Sequence, residues 1–143
     1  MSTPDVVRLV DLREAPLDVG EVVAALQDDA AGALTLFVGQ VRDHDGGRGV
    51  EGLGYSAHPT AMARLQEVAD RVAADFDVLG VAAVHRVGTL HIGDVAVVVA
   101  TTSAHRDESF RASRALIDTL KAEVPVWKHQ RFDDGSDEWV GTP

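Results

Sequence analysis

The chain has 143 residues, with 23 acidic and 13 basic side chains and a formal net charge of −10. Its length fits a single domain over 1–143 that buries roughly 68% of its unfolded surface, and 45% hydrophobic with 25% charged residues mark a globular protein. The acidic balance argues against general nucleic-acid or anionic-membrane binding, and the absence of cysteine excludes disulfides, thiolate nucleophiles and Cys-based zinc sites.

In chain order, residues 6–10 read as a short strand. Asp18 is the expected N-cap of a helix over 19–29, with Glu21 three residues on completing a capping box. Residues 33–42 are rich in β-formers and predict a strand. It runs into Asp43-His44-Asp45-Gly46-Gly47-Arg48-Gly49, the tip of a hairpin whose returning strand is 50–56. Thr60 is the next expected N-cap. Met62, Leu65, Val68, Ala69, Val72 and Phe76 then mark one face of a helix ending near Asp77. Strands at about 79–87 and 94–102 bracket 88–93. The run 95–100 is apolar on both faces, as in a strand covered on each side. A helix over about 107–123 should turn Phe110, Ile117, Leu120 and Val124 inward and stop at Pro125. A strand over 126–132, an acidic turn (Asp133, Asp134, Asp137, Glu138) and Trp139 complete the chain. The interleaved strands, helices and hairpins predict an α+β fold with a mixed sheet.

The longest apolar run, 95–100, is far short of the roughly 18 residues a membrane-spanning helix needs. Met1-Ser2-Thr3-Pro4-Asp5 lacks the basic and apolar regions of a signal peptide, so a cytoplasmic location is expected.

Three places could carry chemistry. Thr101-Thr102-Ser103-Ala104-His105-Arg106 joins a buried strand to a helix N-terminus. Free N–H groups, the helix dipole and two cationic donors there suit a phosphate; the plainer reading is an N-capping loop with solvated side chains. The second place is the lysine pair. Eleven of the bases are Arg and two are Lys, Lys121 and Lys128, close together near the C-terminus. Lysine can lose its proton and act as base or nucleophile, which arginine cannot; a cation near a helix C-terminus is otherwise an ordinary dipole partner. The third is Gly39-Gln40-Val41-Arg42, where Arg42 either binds a ligand anion or pairs with Asp43 or Asp45, the reading that pattern alone favours. The six histidines have no metal-ligand spacing, and no nucleotide-binding glycine motif occurs, so no metal or cofactor is expected. Trp127 and Trp139 read as core or interface anchors.

Phe37-Val38-Gly39-Gln40-Val41-Arg42, Val84-His85-Arg86-Val87-Gly88, Gly93-Asp94, Thr102-Ser103-Ala104-His105-Arg106 and Val124-Pro125-Val126-Trp127-Lys128 occur in one order. In that order and spacing the chain, over about 33–140, closely resembles the large, catalytic subunit of molybdopterin synthase. The resemblance implies an α/β-hammerhead fold with a mixed sheet and an added β-rich subdomain, and pairing into homodimers. It also implies a partner, a ubiquitin-like small subunit whose C-terminal Gly-Gly carries a thiocarboxylate, giving a heterotetramer. The activity implied is transfer of two sulfurs from two such partners onto cyclic pyranopterin monophosphate, forming the dithiolene of molybdopterin in molybdenum cofactor biosynthesis. Neither metal nor nucleotide is required.

On this resemblance Arg42, His105 and Arg106 bind the phosphate and pterin of the substrate. Lys121 gives acid–base or nucleophilic help during sulfur transfer, and Lys128 orients substrate and lowers the pKa of Lys121 as a neighbouring like charge. His129 and Gln130 extend that wall, and Gln40 and Val41 lie beside Arg42. The five cationic groups Arg42, His105, Arg106, Lys121 and Lys128 are expected in one site. The chain departs from some relatives at Gln40, where they carry a base, and at Gly141-Thr142-Pro143, where they continue with an arginine that reaches the other subunit's pocket. The rival reading is a non-catalytic α+β module that binds a small anion and regulates a partner.

Overall fold

The computed structural model describes residues 5–141; the expectations placed on residues 1–4 and on Thr142 and Pro143 lie outside them. Nine strands and three helices are formed, in the order β1 (Val7–Arg13), α1 (Val19–Ala25), β2 (Ala33–Gln40), β3 (His44–Asp45), β4 (Arg48–Ala57), α2 (Ala61–Asp75), β5 (Gly80–Arg86), β6 (Gly88–Leu90), β7 (Val95–Ser103), α3 (Arg106–Glu123), β8 (Val126–Phe132) and β9 (Asp137–Val140). The first sheet has the order β1-β5-β7-β2. Its β1–β5 pair is parallel while β5–β7 and β7–β2 are antiparallel, so the sheet is mixed as expected. A second, antiparallel sheet of β3-β4-β8-β9, with β6 beside β4, forms the β-rich subdomain.

The all-apolar stretch of β7 finds its explanation in two cores. Val97 and Val99 point into one made with Leu65, Val68, Val72, Leu116 and Leu120 of α2 and α3. Val98 and Ala100 point the other way, against Val22 of α1 and Leu26 at its C-terminal cap. The sheet is therefore sandwiched between helices, and no helix among the described residues is long and apolar enough to cross a membrane. Hydroxyls anchor α3 to the sheet inside the first core. Thr101 Oγ1 lies 2.8 Å from Ser113 Oγ and donates to the Ser109 carbonyl, while Ser113 Oγ donates to the Thr35 carbonyl at 3.0 Å.

Several expectations need correction. The predicted 33–42/50–56 hairpin does not form. β2 pairs with β7, and β4 instead pairs with the two-residue β3 through a Gly46-Gly47 turn, then with β8 and β6. Both turn glycines have positive φ, +59° and +79°, so a tight reversal is available where a long tip was expected. Asp18 does cap α1, accepting from the Gly20 and Glu21 amides, but the Glu21 carboxylate binds Arg13 at 2.5 and 2.9 Å rather than closing a capping box. Helix α1 ends at Ala25, before the predicted 29.

At α2, Thr60 makes no side-chain cap; its hydroxyl and amide meet Nδ1 of His58. Met62 lies on the exposed side of that helix. Phe110, predicted inward, is 61% exposed; the helix turns Ser109, Ala112, Ser113, Leu116 and Leu120 to the sheet instead, because the hydroxyl anchors set its rotation. The predicted acidic turn is shorter than 133–138, since Asp137–Val140 is strand β9 paired with β8.

Candidate active site

Helix α3 ends at Glu123; the capping residue Val124 is already extended, and Pro125 has no amide hydrogen with which to continue the helix. The chain reverses there into β8, so Lys121 of the last helical turn and Lys128, third in β8, come to line one cleft. Its volume is about 270 Å³, and Tyr55, His85, Leu120, Val124, Val126, Val140 and Gly141 complete the lining. Among the described residues no carboxylate lines it. Lys121 is exposed as a residue and at the same time lines this protein-walled space. Desolvation holds its pKa below the ordinary lysine value, with the Lys128 charge a second, smaller cause.

A smaller recess of about 50 Å³ adjoins the cleft through the shared residues Tyr55 and Lys128, and is lined by Gln40, Val41, Arg42, His44, Leu53 and Gln130. Strand register explains the grouping. Tyr55 pairs with Lys128, and Leu53 pairs with Gln130; directly opposed residues share a face of the sheet. Val41 packs with Leu53 and Leu90, which fixes the end of β2 against this face and brings Gln40 and Arg42 to its rim. Arg42 is exposed and lies 3.4 Å from Asp45, so the ion-pair reading describes the resting site. Gln130 is buried and donates to Asp45 at 2.7 Å. That bond, before the more distant charges of Lys128 and Arg42, keeps the Asp45 carboxyl below its usual pKa.

Two parts of the expected site lie elsewhere. His129 does not extend the cleft wall. The pleat turns it to the opposite face of β8, where it stacks on Trp139 with ring centroids 4.4 Å apart and contacts Asp137 at 2.6 Å. His105 and Arg106 sit exposed at the N-terminus of α3. Arg106 and Lys121 stand fifteen positions apart along the helix, about 22 Å at about 1.5 Å per residue. The expectation of five cationic groups in one site is therefore not met within one chain: Arg42, Lys121 and Lys128 come together, and His105 and Arg106 do not.

Two cleft residues carried no role in the sequence reading. Tyr55 is the single tyrosine of the chain, and its place depends on the β4–β8 pairing that the hairpin expectation misassigned. Burial raises the pKa of its phenol. His85 stood inside one of the five motifs, but a histidine in an apolar strand gives no sign of which neighbour it meets. It is 2% exposed, with Nδ1 2.7 Å from the Arg86 carbonyl and its ring edge-on to Tyr55 at 4.9 Å. Desolvation pushes its pKa down to about 4 against the opposing effect of the Arg86 carbonyl, and the Lys121 charge lowers it further. The adjacent Arg86 and Asp94, also motif residues, form a 3.1 Å ion pair that closes the β5–β7 connection, with Asp94 accepting from the His91 amide.

The sequence and the fold are similar to those of known proteins. A family model described as MoaE protein matches residues 12–123. The chain is 43% identical to the molybdopterin synthase catalytic subunit 1 of Mycobacterium tuberculosis over 131 residues, covering 91% of this chain and 88% of that protein. It is 37% identical to the molybdopterin synthase catalytic subunit of a Nostoc species, covering 88% of this chain and 78% of that one. Among solved structures, the molybdopterin synthase of Staphylococcus aureus superposes with a TM-score of 0.85 at 30% identity, covering 94% of this chain and 98% of that one.

Proposed function

The chain belongs to the MoaE protein family, and from that premise we propose that it is the catalytic subunit of a molybdopterin synthase. Its activity is transfer of sulfur from the thiocarboxylated Gly-Gly terminus of a ubiquitin-like small subunit to cyclic pyranopterin monophosphate, twice per molybdopterin formed. The observation that carries this reading is the Lys121–Lys128 cleft. An anionic, acceptor-rich substrate is met by two ammonium groups and by Arg42 at the adjoining recess. Lys121, with its pKa lowered, reaches the neutral amine at a lower pH than an ordinary lysine, and so can move a proton, or attack the terminal glycine's acyl carbon once its sulfur is bonded to the pterin, forming an amide as the carbon–sulfur bond breaks and the pterin-bound sulfur leaves as a thiol. Lys128 supplies the like charge that favours this state and holds the substrate's phosphate. Gln40, Val41 and Gln130 shape the recess beside it.

His105 and Arg106 keep a place in this reading as donors supplied by a second copy, since the length of α3 keeps them out of their own chain's cleft. Self-association has surface to use. β2 is an edge strand with Leu34 and Phe37 exposed, and Phe110 stands out from the first turns of α3. The assembly proposed is a homodimer bearing two small subunits.

The separation of His105 and Arg106 from the lysines also favours one rival, a non-catalytic module binding an anion at the N-terminus of α3. Lys121→Ala separates the two. The catalytic reading expects sulfur transfer to be lost while the fold, the dimer and capture of the small subunit persist. Near-normal turnover by Lys121→Ala would exclude it.

A further inference from the structure

His85 lies on the face of β5 that also carries Val81 and Ala83, the face packed under α2 and α3. The end of α3 sets Lys121 over the same cleft. The ring cannot turn freely. A carbonyl oxygen only accepts, so the 2.7 Å contact with the Arg86 carbonyl places the imidazole proton on Nδ1. The Arg86 residue is itself tied to Asp94, to the Glu14 carbonyl and to the Thr89 carbonyl, and Tyr55 abuts the ring at 85°. Nε2 is left as a lone-pair acceptor. It has no protein partner among the described residues, and it is not one of the fully enclosed orphan atoms, which are Thr102 Oγ1 and Trp127 Nε1. His85 is one of the residues lining the cleft, and with Nδ1 taken, Nε2 is the ring nitrogen left to face it.

The titratable groups facing it there are Lys121 from α3, Lys128 from β8 and Tyr55 from β4. Among the described residues no carboxylate lines the cleft, so Nε2 and the Tyr55 hydroxyl are the side-chain acceptors that its lining offers Lys121. A nearly buried acceptor left unused is unfavourable, and a donor beside it relieves that.

We propose that His85 is a positioning residue for Lys121: its Nε2 accepts a hydrogen bond from Nζ of Lys121, directly or through one water, and aims the amine into the cleft. The proposal rests on the reading of Lys121 as the reacting group. An uncharged acceptor suits this task, because a carboxylate in the same place would hold Lys121 protonated through its charge. Imidazole orients the nitrogen and leaves the amine within reach.

The chain itself supplies the assay. It contains two lysines, so the full-length protein labelled with ¹³Cε-lysine gives two resonances, assigned with Lys128→Met. An acceptor favours the charged amine, so removing it lowers the Lys121 midpoint further. His85→Phe, which keeps a ring against Tyr55, should shift that midpoint down by about one pH unit and leave Lys128 in place. Sulfur transfer should fall roughly tenfold with small-subunit capture unchanged. His85→Gln, whose amide reaches as far as Nε2, should restore both readings. If His85→Phe does not fold, His85→Asn carries the test, because it keeps a donor near the Arg86 carbonyl but falls short of Lys121. A folded His85→Phe or His85→Asn with the wild-type Lys121 midpoint overturns the proposal, whatever its turnover. Turnover retained by Lys121→Ala would instead overturn the catalytic reading, while the titration still reports on the contact.

Discussion

Lys121→Arg isolates proton chemistry from charge. Arginine keeps a cation in the last turn of α3, so the dipole interaction of about 0.3–1 kcal/mol at that helix end is retained. The side chain opens onto a cleft of about 270 Å³ and forms no part of either helix-packed core, so stability should change by less than about 0.5 kcal/mol. What is lost is deprotonation. Desolvation and, second, Lys128 bring the lysine toward its neutral form, whereas a guanidinium stays charged throughout the physiological range. If Lys121 transfers a proton or attacks as an amine, the rate should fall by about 10²–10⁴-fold, equivalent to about 2.7–5.4 kcal/mol at about 1.36 kcal/mol per decade. The assay is single-turnover mixing with thiocarboxylated small subunit and cyclic pterin, following thiocarboxylate consumption by mass. Wild-type rates should rise with pH through the lowered lysine midpoint, and those of the variant should not. A variant within about tenfold of wild type, with the same pH profile, would refute the reasoning.

Other outcomes follow from burial and backbone geometry. Folded His85 has a pKa of about 4 against about 6.5 when unfolded, so between those values the unfolded chain binds the extra proton and stability falls as pH drops. Urea unfolding at pH 7.5 and 5.0 should show wild type losing about 2 kcal/mol more than His85→Phe; equal losses would contradict a buried neutral imidazole. Leu116→Ala, at a fully buried position in the α2–α3 core, should lower stability by about 2–5 kcal/mol in denaturant titration. Ser113→Ala removes one of the partners of Thr101 Oγ1 and the donor to the Thr35 carbonyl, and should lower it by about 1–3 kcal/mol. At Gly47, φ is +79° with nothing close to a built Cβ. Valine there should therefore act through backbone strain of about 1–2 kcal/mol, read out as slower or weaker substrate binding at the recess lined by Arg42 and His44 beside the turn.

Elements with strong local signals were legible in the sequence. The apolar run of β7, the Pro125 stop, the 126–132 strand and the α2 face follow from periodicity and proline chemistry, and the lysine pair stood out by composition. Strand partners did not follow. Nothing local tells β4 that its neighbours are β3, β8 and β6 rather than β2, and the place of Tyr55 went with that pairing. The rotation of α3 was misread for a related reason. Phe110 is the more hydrophobic residue, but Ser109 and Ser113 find buried hydrogen bonds with Thr101 and Thr35, contacts that exist only once the sheet is assembled. His129 was placed by adjacency in sequence, where the two-residue pleat sends neighbours to opposite faces. The five cationic residues could be named from the sequence but not placed together or apart, since only the folded helix of eighteen residues shows its two ends held away from each other.

The most direct test of the central claim is reconstitution. The full-length protein is incubated with a thiocarboxylated, Gly-Gly-ended ubiquitin-like subunit and cyclic pyranopterin monophosphate, and dithiolene formation is followed by mass and fluorescence of the oxidised pterin. The account predicts one dithiolene for every two thiocarboxylates consumed, dependent on Lys121. Thiocarboxylate that persists, or is consumed without dithiolene appearing, while the small subunit and pterin are both bound, would contradict it.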